Sequence, residues 1–129
     1  MEKNTASEGK KLRTAFHVCQ RILIPHPCEF KVGMARSVAT RWRYYLEDTD
    51  KWQPTHLWIV LKTGGRAAVG FAEAALIDML ANDLDDRVPQ TLNINLRNGD
   101  LGGTGPRILE HLFSTYYLYL AVKADEVPM

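Results

Sequence analysis

The sequence predicts one mixed α/β domain of the α+β kind, with helices packed on a sheet that is at least partly antiparallel. Three observations lead there. Strand-like and helix-like runs are mixed along the chain, without an internal repeat or a low-complexity block. The first two strand-like runs share a turn too short for a parallel crossover. The chain has 129 residues and is 46% hydrophobic, enough for one core without staples.

In chain order, MEKNTASEGKKLR is too polar to bury anything, so residues 1–12 read as a flexible tail and 13–129 as the domain. The alternative for its lysines is a basic arm that touches a polyanion. AFHVCQRILI is rich in β-forming residues and is followed by the turn-like PHPCE, and FKVGMA reads as the next strand. Ala15 to Ala35 is therefore expected to be a hairpin. Ser37 can cap a helix that runs to about Asp48, and Pro54 keeps EDTDKWQPT a loop. HLWIVLK is almost continuously apolar, as expected of a strand covered on both faces. RAAVGFAEAALIDMLAND is a strong helix. TLNINL reads as a short strand, Pro106 opens a further helix, and TYYLYLAVKA closes the domain as helix or strand.

Charge and cysteine content narrow the function classes. Sixteen basic residues against fifteen acidic leave a net charge of +1, so a nucleic-acid site must come from local clustering. Cys19 and Cys28 are too few for a disulfide framework and are expected to be reduced thiols. No run approaches the roughly 20 apolar residues of a membrane span, and the N-terminus lacks the apolar core of a secretory signal. A membrane partner is not expected, and an intracellular location is.

Helical periodicity sorts the charged residues. With Val38 at zero and about 100° per residue, Tyr45, Trp42 and Leu46 fall at about −20°, 40° and 80°, forming with Val38 the packing face. Arg36 and Arg43 point to solvent. Arg41, at about −60°, lies on the rim, where its stem can cover apolar surface or its guanidinium can reach a cleft. In the later helix, with Val69 at zero, Glu73 falls at about 40°, inside the stripe of Leu76, Leu80 and Ile77. A carboxylate there must pair with a cation, bind a metal or open on a cleft. Arg41 is one candidate partner. RNGDLGGTG suits a tight turn, or a phosphate-cradling loop that lacks the Lys-Ser/Thr ending of a P-loop. His17, His26, His56 and His111 show no metal-ligand spacing and read as structural or surface residues.

Together, KVGMARSVATRWRYYLED, Glu73 in an apolar helix and Asn98 before Gly102-Gly103 resemble the ordered motifs of the GIY-YIG nuclease superfamily. Arg41 lies eight residues beyond Gly33, as in the second motif, and Trp42 and Tyr45 suit the positions after it. Lys31 stands where many members have tyrosine, as in the branch with Lys-Ile/Val-Gly. HVCQRIL, where the first-motif tyrosine would fall, has none.

The resemblance implies an antiparallel three-stranded sheet flanked by helices. It also implies hydrolysis of a DNA phosphodiester with one magnesium or manganese ion held by Glu73. Arg41 would steady the phosphate, Lys31 would bind it as a point charge, and Tyr45 or Tyr44 would assist the attacking water. Gly33 and Asn98 would support the site. The alternative is a degenerate domain that keeps the fold and binds nucleic acid or protein without cutting. A small-molecule enzyme of another kind has no motif behind it.

Overall fold

A computed structural model describes residues 2–48, 50–99 and 115–125. The elements are α1 (Glu2–Leu23), β1 (Glu29–Ala35), α2 (Val38–Glu47), β2 (His56–Gly64), α3 (Arg66–Asp83), a 3-10 turn (Gln90–Leu92), α4 (Ile94–Arg97) and β3 (Thr115–Lys123). The class is α+β, with one three-stranded sheet in the order β1-β3-β2, both pairings antiparallel. No helix among the described residues is long and apolar enough to cross a membrane.

The N-terminal half departs from the expectation. AFHVCQRILI is the second half of α1, so there is no hairpin from Ala15 to Ala35, and residues 2–12, expected as a tail, belong to the same helix. The reason lies in the spacing of the buried positions. Ala15, Phe16, Cys19, Ile22 and Leu23 are buried and Leu12 packs against them, a stripe at helical and not strand period. Burial pushes the Cys19 thiol up to about 12, which keeps it protonated, and neither Cys19 nor Cys28 is in a disulfide.

FKVGMA forms β1 as expected, but its neighbour is β3 from the far end of the chain. TYYLYLAVKA resolves as the central strand, buried at every position from Leu118 to Val122. HLWIVLK is an edge strand and not one covered on both faces: Ile59 is 52% exposed, and the register shifts between Ile59 and Leu61. TLNINL is a 3-10 turn and one turn of helix, and meets the sheet at the edge of β1, where Phe30 and Asn93 form a bridge.

The core lies on one side of the sheet. Phe30, Val32, Leu118, Leu120 and Val122 meet Leu76, Ile77 and Leu80 of α3 and the apolar stripe of α1. α3 follows its predicted periodicity, with Val69, Leu76 and Leu80 at 0% exposure and Glu73 within the stripe at 7%. The predicted helix at Pro106, His111 and the glycines Gly102, Gly103 and Gly105 lie outside the described residues.

Candidate active site

Period-two alternation sends Glu29, Lys31, Gly33 and Ala35 to the sheet face opposite the main core. In the antiparallel register Gly33 is paired with Tyr119, so both lie on that face. The Tyr119 phenol lies across Gly33. A Cβ built on Gly33 would overlap its hydroxyl and Cζ. Glycine at 33 is therefore the space in which a tyrosine from β3 lies.

Ser37 places α2 over this face. Its side chain accepts a hydrogen bond from the Thr40 N–H, the expected N-cap, and the helix runs to Glu47. At the other end Gln53 donates to the carbonyls of Tyr45 and Leu46, satisfying acceptors that a helix end leaves open. The packing face is rotated from the one predicted. Tyr45 is its buried centre, Val38 and Trp42 are half-buried, and Leu46 is 51% exposed. That rotation brings Arg41 inward to half-burial and leaves Arg36 and Arg43 in solvent.

The two buried phenols meet here. Their hydroxyl oxygens are 2.7 Å apart and their rings pack edge to face at 6.3 Å. Burial, reinforced by Tyr45 beside it, pushes the Tyr119 phenol far above the usual tyrosine range; Glu73 acts in the same direction and Arg41 against it. Tyr119 is thus fixed as a neutral hydroxyl. When it donates to Tyr45, the Tyr45 proton remains available to a ligand. Trp52 packs edge-on against Tyr45 at 6.4 Å and donates to Glu29, whose other carboxylate oxygen pairs with Arg97.

A cleft of about 400 Å³ opens beside the pair, lined by residues of β1, α2, the following loop and α4. Of the predicted residues, Lys31, Arg41, Tyr45 and Asn98 line it together. The Lys31 ammonium lies 6.0 Å from the centre of the Tyr45 ring, and the Arg41 guanidinium 5.7 Å from that of Tyr44. Asn98 caps α4 and precedes Gly99, whose φ of +67° is the left-handed geometry a helix-ending glycine supplies.

Glu73 is not among the residues lining this cleft, although its charge reaches the Tyr119 phenol. Among the described residues no three His, Cys, Asp or Glu side chains converge as ligands. A single carboxylate still suits magnesium or manganese, which take one or two carboxylates and complete their shell with water and phosphate oxygens.

Two contributors were not apparent from the sequence. Tyr119 is one. Asn95 is the other: fully buried, its carboxamide accepts from the Val32 N–H at 2.8 Å and donates to the Val32 carbonyl at 2.9 Å. It thereby pairs the outer edge of β1 as a neighbouring strand would, and fixes the segment that carries Lys31 and Gly33. The alternation in TYYLYLAVK was the available signal for Tyr119. Comparison with protein-family models, curated proteins and solved structures finds no match to the chain.

Proposed function

We propose that the chain is a GIY-YIG-like, metal-dependent endonuclease acting on DNA phosphodiester bonds. The observation that carries this reading is the buried Tyr45–Tyr119 pair beside Lys31 and Arg41 in one cleft. HVCQRIL, where the resemblance places the first-motif tyrosine, has none and is helical, and the phenol that lies beside Lys-Val-Gly is Tyr119, opposite Gly33.

In this mechanism Lys31 and Arg41 bind the non-bridging phosphate oxygens, Lys31 as a point charge and Arg41 through its planar fork. Arg41 stabilises the negative charge that builds in the transition state. Tyr119 holds Tyr45 in place, and the Tyr45 hydroxyl orients the attacking water. The resemblance makes Glu73, which does not line the cleft, the residue that would hold a magnesium or manganese ion, and such an ion would supply polarisation of a phosphoryl oxygen.

The test is incubation of supercoiled plasmid with the purified chain and manganese, with Arg41→Ala and Glu73→Gln alongside. Wild type is expected to nick the plasmid, and each variant to lose about 10²-fold or more. Thermal melts separate function from scaffold at Glu73. A metal ligand predicts a magnesium-dependent rise in melting temperature that Glu73→Gln abolishes, with the metal-free fold unharmed. Half of a buried ion pair predicts a loss of about 3–5 kcal/mol on the same change. No nicking by wild type with either ion, or nicking that survives both substitutions, overturns the proposal.

A further inference from the structure

We infer that the cleft takes DNA as an unpaired strand, with Tyr44 as the platform on which a base stacks. This rests on the nucleic-acid reading above and narrows it to a substrate class. Four cations, Lys31, Arg41, Lys51 and Arg97, line the cleft against one carboxylate, Asp48. The chain as a whole carries only +1, so four cations against one carboxylate is a local excess of positive charge in a concavity. A duplex presents phosphates along a broad convex cylinder and is bound by charge spread to match. Lys31, half-buried on β1, is reached by a strand that enters the cleft.

Tyr44 adds the second element. It is 47% exposed, and its ring centre lies 5.7 Å from the Arg41 guanidinium and 5.8 Å from the Lys51 ammonium. Lys51 also donates to the Tyr44 hydroxyl at 3.3 Å and lies 3.6 Å from Asp48. The hydrogen bond to Tyr44, with Asp48 nearby, holds the Lys51 ammonium above its usual range. Trp52 is half-buried against Tyr45 and donates to Glu29, whereas Tyr44, which also packs edge-on against Tyr45, keeps the more exposed ring. An exposed aromatic ring set between cations in a basic groove is the arrangement that binds single strands with little sequence preference: phosphates pair with the cations and a base stacks on the ring. Arg97, which pairs with Glu29, lines the same cleft and would give the strand a second phosphate contact.

The test is fluorescence anisotropy in EDTA, where no cleavage intervenes. The probes are a labelled single-stranded DNA 12-mer, its blunt duplex, and a duplex carrying an unpaired tail. Wild type is compared with Tyr44→Phe, Tyr44→Ala and Phe71→Ala, the last removing an 82% exposed ring that is not among the residues lining the cleft. The single strand and the tailed duplex are expected to bind at least about tenfold tighter than the blunt duplex, and Tyr44→Ala to lose about tenfold on the two unpaired probes. Tyr44→Phe and Phe71→Ala are expected to stay close to wild type. Equal binding of the blunt duplex, or full binding by a folded Tyr44→Ala, overturns the inference. Plasmid nicking together with equal duplex binding sinks the inference and leaves the nuclease proposal standing. Tyr44-dependent single-strand binding without nicking does the reverse, and no binding to any probe together with no nicking removes both.

Discussion

On one face of the sheet Phe30, Val32, Leu118, Leu120 and Val122 are at most 1% exposed and meet α1 and α3. On the other face the same β1 and β3 carry Glu29, Lys31, Gly33, Tyr119 and Ala121, and the buried cluster shrinks to Ala35, Tyr45, Tyr119 and Ala121. One residue along the strand separates the two environments. The difference shows how a chain this small divides its tasks. Phe30, Val32, Leu118, Leu120 and Val122 supply an apolar layer that closes the fold, so the opposite face can hold a lysine, a glycine gap and two phenols.

The comparison is broken most forcefully from the apolar side. Leu120→Ala on β3 should destabilise the protein by about 3–5 kcal/mol, because the side chain is fully buried between α1, α3 and the neighbouring strands. In urea the midpoint should fall, while binding of a short DNA strand under strongly folding conditions stays near wild type. Loss of binding at full folding would mean that the two faces are coupled.

Next in size is Asn95→Ala. It strips both hydrogen bonds from Val32 and leaves a buried N–H and carbonyl unpaired, at about 1–3 kcal/mol each. Val32 packs into the apolar core while its neighbours Lys31 and Gly33 face the cleft side, so stability and strand binding should fall together. Asn98→Ala, at an exposed helix end, should change stability by less than about 0.5 kcal/mol. Amide hydrogen exchange at Val32 checks the pair: a protected Val32 in Asn95→Ala would show that another group closes the edge.

These residues also mark what was legible in the sequence. β1, the Ser37 cap and α3 depend on local chemistry: alternation along a strand, a hydroxyl three residues before an N–H, and an apolar stripe along an eighteen-residue helix. Glu73 stood out because a carboxylate interrupts that stripe. Residues 15–24 were misread because Phe, Val and Ile suggest a strand by composition, although their burial follows helical spacing. The partners of Tyr119 and Asn95 are not legible for another reason. Tyr119 meets Tyr45 at a separation of 74 residues and Asn95 meets Val32 at 63, and no local pattern encodes such pairings. The exposed Leu46 shows a weaker limit, since periodicity defines a stripe but tertiary contact chooses its centre.

A modest stability change is expected at Tyr119→Phe, and it sharpens the comparison most. Tyr119 is as buried as Leu120 beside it, at 2% against 0% exposure, so burial alone would rank the two sites together. Their side chains differ in what they give the fold. Phenylalanine keeps the ring across Gly33 and its edge-to-face contact with Tyr45, and removes only the hydroxyl 2.7 Å from the Tyr45 oxygen. Tyr45 borders the cleft, so water can replace the lost partner, and the net cost should be about 1 kcal/mol. Plasmid nicking should nevertheless fall sharply, because Tyr45 loses the neutral hydroxyl that orients it. Melts and nicking assays on Tyr119→Phe and Leu120→Ala together should therefore give opposite orders, with the leucine variant worse in stability and the tyrosine variant worse in cleavage. If Tyr119→Phe were instead as destabilising as Leu120→Ala and still cut DNA, the phenol pair would be a second core, and the chemistry would have to be sought elsewhere on the molecule.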